Sequence, residues 1–143
     1  MGLELWARVY PAGSPLRDRG HLKLLEEFEV RLPPSVGRIR EWAVPIPGDL
    51  RAVDLLLTGL PKRTGVEAET VLDDLQALER DIRKKQRDGQ LQRVILLVRG
   101  SRRNREILAT ADALHRAFPR NTRAVMTAIT HGHDPGADGI VLL

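Results

Sequence analysis

The chain contains no cysteine among its 143 residues, which excludes disulfide frameworks, thiol nucleophiles, iron–sulfur clusters and thiolate zinc sites together. That absence suits a reducing compartment, and the cytoplasm is the expected location. Aromatic residues are scarce as well: Trp6, Trp42, Tyr10, Phe28 and Phe118 are too few to furnish both a core and a base-stacking platform of the single-strand-binding kind. Long hydrophobic runs are missing. Val94 to Val98 and Ile140 to Leu143 reach about a quarter of the roughly 20 residues a membrane span requires, and the N-terminus carries no basic-then-apolar signal, so no membrane partner and no export are expected. Internal repeats and low-complexity tracts are absent too.

What is present is ordinary globular material, 42% hydrophobic and 29% charged, with twelve glycines and nine prolines. Length and composition predict a single domain over 1–143 with one packed core. Twenty-three Lys and Arg against nineteen Asp and Glu leave a net charge of +4. Arginine's forked guanidinium matches phosphate oxygens, so a polyanionic partner, nucleic acid above all, is consistent with this balance.

The pattern of polar and apolar residues predicts ten elements. Leu3 to Tyr10 alternates as a strand, and Leu22 to Leu32 has helical spacing before Pro33 and Pro34 close it. Glu41–Asp49 and Leu50–Leu57 read as a hairpin, because the X-Pro pairs push Val44 and Ile46 out of the helical region. Thr64–Glu69 follows as a strand, and Val71–Asp88 as a helix with basic residues in its last turns and Gly89 behind it. Val94–Val98 is continuously apolar, as in a strand covered on both faces. Ser101 reads as the N-cap of a helix reaching Phe118, and Arg123–Ile129 and Gly139–Leu143 as two closing strands. The order predicts an α/β fold, a three-layer sandwich with a mixed central sheet and helices on both faces.

Asp54 lies near the middle of one predicted strand, and Glu67 and Glu69 lie thirteen and fifteen residues later on the next. Strand side chains alternate, so Glu67 and Glu69 share a face, and a paired neighbour can bring Asp54 beside them. Three converging carboxylates repel one another unless a cation stands between them. The candidates are Mg²⁺ or Mn²⁺, both hard ions that take oxygen ligands, or an arginine such as Arg51 or Arg63; a solvated strand face is the plain alternative. Arg99, Arg102, Arg103 and Arg105 surround a helix start, where free N–H groups favour anions. They are candidates for a nucleic-acid backbone, or for local ion pairs such as one to Glu106. His131, His133 and Asp134 could bind a metal through two imidazoles and a carboxylate, although Gly132, Pro135 and Gly136 also read as a turn. No nucleophile elbow, phosphate-cradling glycine loop or dinucleotide fingerprint occurs.

The run Arg51-Ala-Val-Asp54-Leu-Leu-Leu, then Gly65-Val-Glu67-Ala-Glu69, then a helix carrying Gln76, resembles the core of the PD-(D/E)XK, or restriction-endonuclease-like, superfamily over about residues 20–98. Nearly the whole chain is also similar to a C-terminal domain of actinobacterial helix-turn-helix transcriptional regulators of the XRE type. That similarity rests on Tyr10-Pro-Ala-Gly, Ile46-Pro-Gly-Asp-Leu-Arg-Ala52, Val66-Glu-Ala-Glu-Thr70 and Asp134-Pro-Gly through Asp138-Gly-Ile-Val141. The resemblance implies a restriction-endonuclease-like fold with Asp54, Glu67, Glu69 and Gln76 at the catalytic position. Asp54, Glu67 and Glu69 would be metal ligands, and Glu26 or Glu27 an occasional extra one. It also implies a DNA-binding segment supplied by a fused or partner domain, since no helix-turn-helix is read in this chain, and pairing of two copies through edge strands. Where such a nuclease has its lysine this chain has Glu69, an acceptor of opposite charge. Some members carry that lysine on the following helix, where Arg80, Arg83, Lys84 and Lys85 are the candidates here. The departure implies a catalytically degenerate effector, docking or dimerisation module. The alternative is a divalent-metal-dependent nuclease acting on DNA or RNA.

Overall fold

A computed structural model describes residues 15–143; the strand expected over Leu3–Tyr10 lies outside them. The first helix, α1, spans Pro15–Glu29. Strands β1 (Gly37–Ala43), β2 (Ala52–Thr58) and β3 (Thr64–Glu69) follow, then helix α2 (Leu75–Asp88) and strand β4 (Arg93–Val98). Three short helices, α3 (Arg102–Ala109), α4 (Asp112–Ala117) and α5 (Thr122–Thr130), precede the last strand, β5 (Gly139–Leu142).

The strands form one sheet in chain order, β1 to β5. The hairpin connections make β1–β2 and β2–β3 antiparallel, whereas β3–β4 and β4–β5 are parallel because helices intervene. Every residue from Val94 to Val98 is buried, and their alternation divides the core. Ile95 and Leu97 pack with Leu55, Leu57 and Val66 under Leu24, Leu25 and Phe28 of α1 and Val125 and Ile129 of α5. Val94, Leu96 and Val98 pack with Leu56 under Ile82 of α2, Leu108 of α3 and Leu114 of α4. Helices on both faces of a mixed sheet make this a three-layer α/β sandwich.

Two expected elements are corrected. Arg123–Ile129 belongs to helix α5: Val125 and Ile129, one helical turn apart, are fully buried, and the Asn121 side chain caps the start by accepting from Ala124 N at 2.9 Å. The single helix expected from Ser101 to Phe118 is two, because Ala111 leaves the helical region at φ −87°, ψ 62°. His115 Nε2 meets the Leu108 carbonyl at 2.8 Å, beside the Ala111 N–H that donates to the same carbonyl at 3.3 Å. The expected hairpin forms with its first strand shifted toward the N-terminus, so that residues 44–51 become the connection.

Candidate functional site

The β2–β3 ladder pairs Leu57 with Thr64, Leu56 with Gly65 and Leu55 with Val66. Beyond Leu55 the side chains of the two strands take over. Glu67 Oε2 accepts from the Asp54 N–H at 2.9 Å, and Asp54 Oδ2 accepts from the Ala68 N–H at 2.8 Å. Each carboxylate thus satisfies a backbone donor of the other strand at the point where the ladder ends. On the other side of β2, where Arg40 pairs with Leu55 and Trp42 with Val53, Glu41 holds a positive φ of 47°. Val53 and Leu56 fall in the same core layer and Leu55 in the other, so side-chain alternation slips across Asp54.

Two basic side chains close the cluster from opposite layers. Lys85 of α2 donates to Glu67 Oε1 at 2.7 Å, and His21 of α1 places Nε2 3.4 Å from Asp54 Oδ1. Chain order within the cluster is His21, Asp54, Glu67, Lys85, but the spatial path runs through all three layers from helix to helix. Glu67 is buried, and desolvation, followed by the charge of Asp54, pushes its carboxyl up to about 7 against the opposing pull of Lys85 and the Asp54 N–H. His21 is raised above its ordinary 6.5, first by its hydrogen bond to Asp54 and further by the charges of Asp54, Glu69 and Glu67, against its own desolvation.

The predicted residues separate accordingly. Asp54 and Glu67 meet, and Glu69 stands close enough for its charge to act on His21. Gln76 is exposed on α2, nine residues before Lys85 and hence on the opposite side of that helix. Glu26 is exposed. Of the basic candidates on α2, Arg80 and Lys84 are exposed, and Arg83 is held by Asp138 at 2.6 Å and by the Ala117 carbonyl at 2.7 Å, which leaves Lys85. Arg51 turns to Asp49 and Asp88, and Arg63 lies over the Trp42 ring, so neither arginine neutralises the pair. His21 was not among the expected site residues. No local pattern marks it, because its contact with Asp54 spans 33 positions of sequence and depends on how α1 lies on the sheet.

The four arginines expected at a nucleic-acid interface are each engaged nearby. Arg99 donates to the Gly20 carbonyl at 2.9 Å, Arg102 pairs with Glu106, Arg103 reaches the Leu72 carbonyl and Asp73, and Arg105 reaches the Gly100 carbonyl. Asn104, 1% exposed, ties this helix start to the end of β3. Its amide group donates to the Thr70 and Arg99 carbonyls, and its oxygen accepts from Leu72 N.

The same occupancy decides whether a divalent ion fits. Mg²⁺ requires near-octahedral oxygen ligation at about 2.0–2.1 Å, whereas all four oxygens of Asp54 and Glu67 face a backbone N–H, the Lys85 ammonium or the His21 imidazole. Among the described residues no group of three His, Asp or Glu side chains is arranged around a common ion. In this arrangement an ion would have to share or displace the protein partners of Asp54 and Glu67. No family model, curated protein or solved structure matches the chain.

Proposed function

We propose that this chain is a nuclease-like α/β domain whose carboxylate pair serves architecture instead of hydrolysis, and that it acts as an effector, docking or dimerisation module of a DNA-binding transcriptional regulator. The observation that supports catalytic silence is the closed cluster. A hydrolytic site needs oxygens open to an ion and a cation open to the scissile phosphate, and here Lys85 and His21 face the carboxylates themselves. Glu69 stands where the resemblance expects a lysine, and the arginines near α3 are committed to carbonyls and carboxylates of their own chain.

One observation favours the second reading, an active nuclease. Lys85 reaches Glu67 from the helix after β3, the place to which some superfamily members move their lysine. The two readings separate in a cleavage assay of the purified chain with Mg²⁺ or Mn²⁺ on supercoiled, linear and single-stranded DNA and on RNA. The module reading predicts intact substrates throughout. Cleavage that disappears in the Asp54→Ala, Glu67→Ala double variant would overturn it and leave the enzyme.

A further inference from the structure

Outside the carboxylate cluster, α5 ends in a turn that carries two histidines. His131 N donates to the Ala128 carbonyl, Gly132 N to that of Ile129 and His133 N to that of Ala128, with Gly132 at φ 73°. The turn is pinned from the other side as well, since Asp134 receives two hydrogen bonds from Arg93 of β4, at 2.9 and 3.0 Å, and one from Gly136 N. Asp134 is thus held to Arg93 and the loop while lining the same groove as the two imidazoles. Their ring centroids lie 6.3 Å apart. They line an open groove along α5 with the small side chains of Ala124, Thr127 and Ala128.

The hydrogen bonding of His131 fixes its chemistry. Nδ1 lies 2.8 Å from the Thr127 carbonyl. A carbonyl oxygen only accepts, so Nδ1 carries the proton and, in the neutral ring, Nε2 carries the lone pair. This is the arrangement by which a backbone carbonyl orients a metal-ligating imidazole and raises its basicity. Both rings are exposed with centroids 6.3 Å apart, and joint ligation of one ion at about 2.0–2.1 Å from each nitrogen would require them to draw together by side-chain rotation. The last carbonyls of α5 place the negative end of its dipole there, which favours a cation; Arg123, at the far end of the groove, is the opposing charge.

We propose that His131 and His133 form a two-imidazole site for a borderline divalent transition metal ion of the Zn²⁺ or Cu²⁺ class, with the remaining coordination positions open to the groove. Imidazole pairs select such ions over Mg²⁺, and Cu²⁺ binds them more tightly than Zn²⁺. Calorimetric titration of the full chain with Zn²⁺, Cu²⁺ and Mg²⁺ tests the site. The expected result is one Zn²⁺ or Cu²⁺ per chain, Cu²⁺ the tighter, no Mg²⁺ binding here, and a loss of about tenfold or more in affinity in both His131→Ala and His133→Ala. Because both rings are exposed, these variants keep the wild-type melting temperature, which separates ligand loss from unfolding; His21→Ala leaves the titration unchanged. Absence of binding at millimolar ion, binding that persists in the His131→Ala, His133→Ala double variant, or binding lost in His21→Ala would overturn the proposal.

Discussion

The most informative residue is Glu67, a buried acid between an aspartate and a lysine. Its folded carboxyl titrates at about 7 against an ordinary 4.5, so between those values the native chain holds a proton that the unfolded chain has released. The stability this contributes is complete below about pH 4.5 and is lost as pH rises to about 7. His21, raised above 6.5, acts in the same sense, present below that value and lost as pH climbs through its folded pKa. Asp49 and Asp88, both held below 3.8 by hydrogen bonds from arginines, lose their contribution only in stronger acid. Urea unfolding should therefore show stability falling from about pH 4.5 to about pH 7, with a smaller fall in Glu67→Gln; a wild-type profile rising across that window would contradict the assignment. Lys85→Met strands the Glu67 charge and should cost about 2 kcal/mol at alkaline pH, less than a wholly buried pair because Lys85 is partly exposed. A loss under about 0.5 kcal/mol in the same unfolding measurement would mean that Lys85 is not its counter-charge. Asp54 and Glu67 were legible from strand alternation. The phase of α2 also singles out Lys85, three residues beyond buried Ile82 on the stripe of Leu75 and Leu78. His21 was not legible, because it reaches Asp54 through tertiary packing alone.

At the scale of elements, β4 could be read almost to the residue, because a hydrophobic run bounded by turn residues leaves one reading, whereas Thr64–Glu69 has only modest strand propensity and forms β3 through its pairing with β2 and β4. Helix α5 could not be read. Thr122, Val125, Thr127, Ile129 and Thr130 are β-branched and favour strand locally, but the spacing of Val125 and Ile129 and the Asn121 cap decide otherwise once the sheet offers a face to cover. Asn121→Ala should then lower stability by about 1 kcal/mol in denaturant unfolding, the usual worth of an N-cap; no change would mean that packing alone holds the helix. The break between α3 and α4 was hidden for a similar reason, since Leu108, Ala111 and Leu114 keep helical spacing through a turn that His115 stabilises. Asn104→Ala removes three hydrogen bonds linking α3 to the end of β3 and should cost about 3 kcal/mol. A loss of only a few tenths would show that the Thr70 to Leu72 segment is held by other means.

For the whole molecule, the cluster joins both helical layers to the sheet at the end where β2 and β3 part. Its two basic members, Lys85 and His21, face the carboxylate oxygens that a hydrolytic ion would need, and this contact supports the proposed module over the enzyme. The ion-specific test is an NMR titration with Mn²⁺, whose paramagnetism broadens amide signals close to a bound ion. The account predicts that the amide signals of Asp54, Glu67 and Ala68 stay sharp when one equivalent of Mn²⁺ is added. Their loss at that ratio, with recovery in Asp54→Asn, would contradict it.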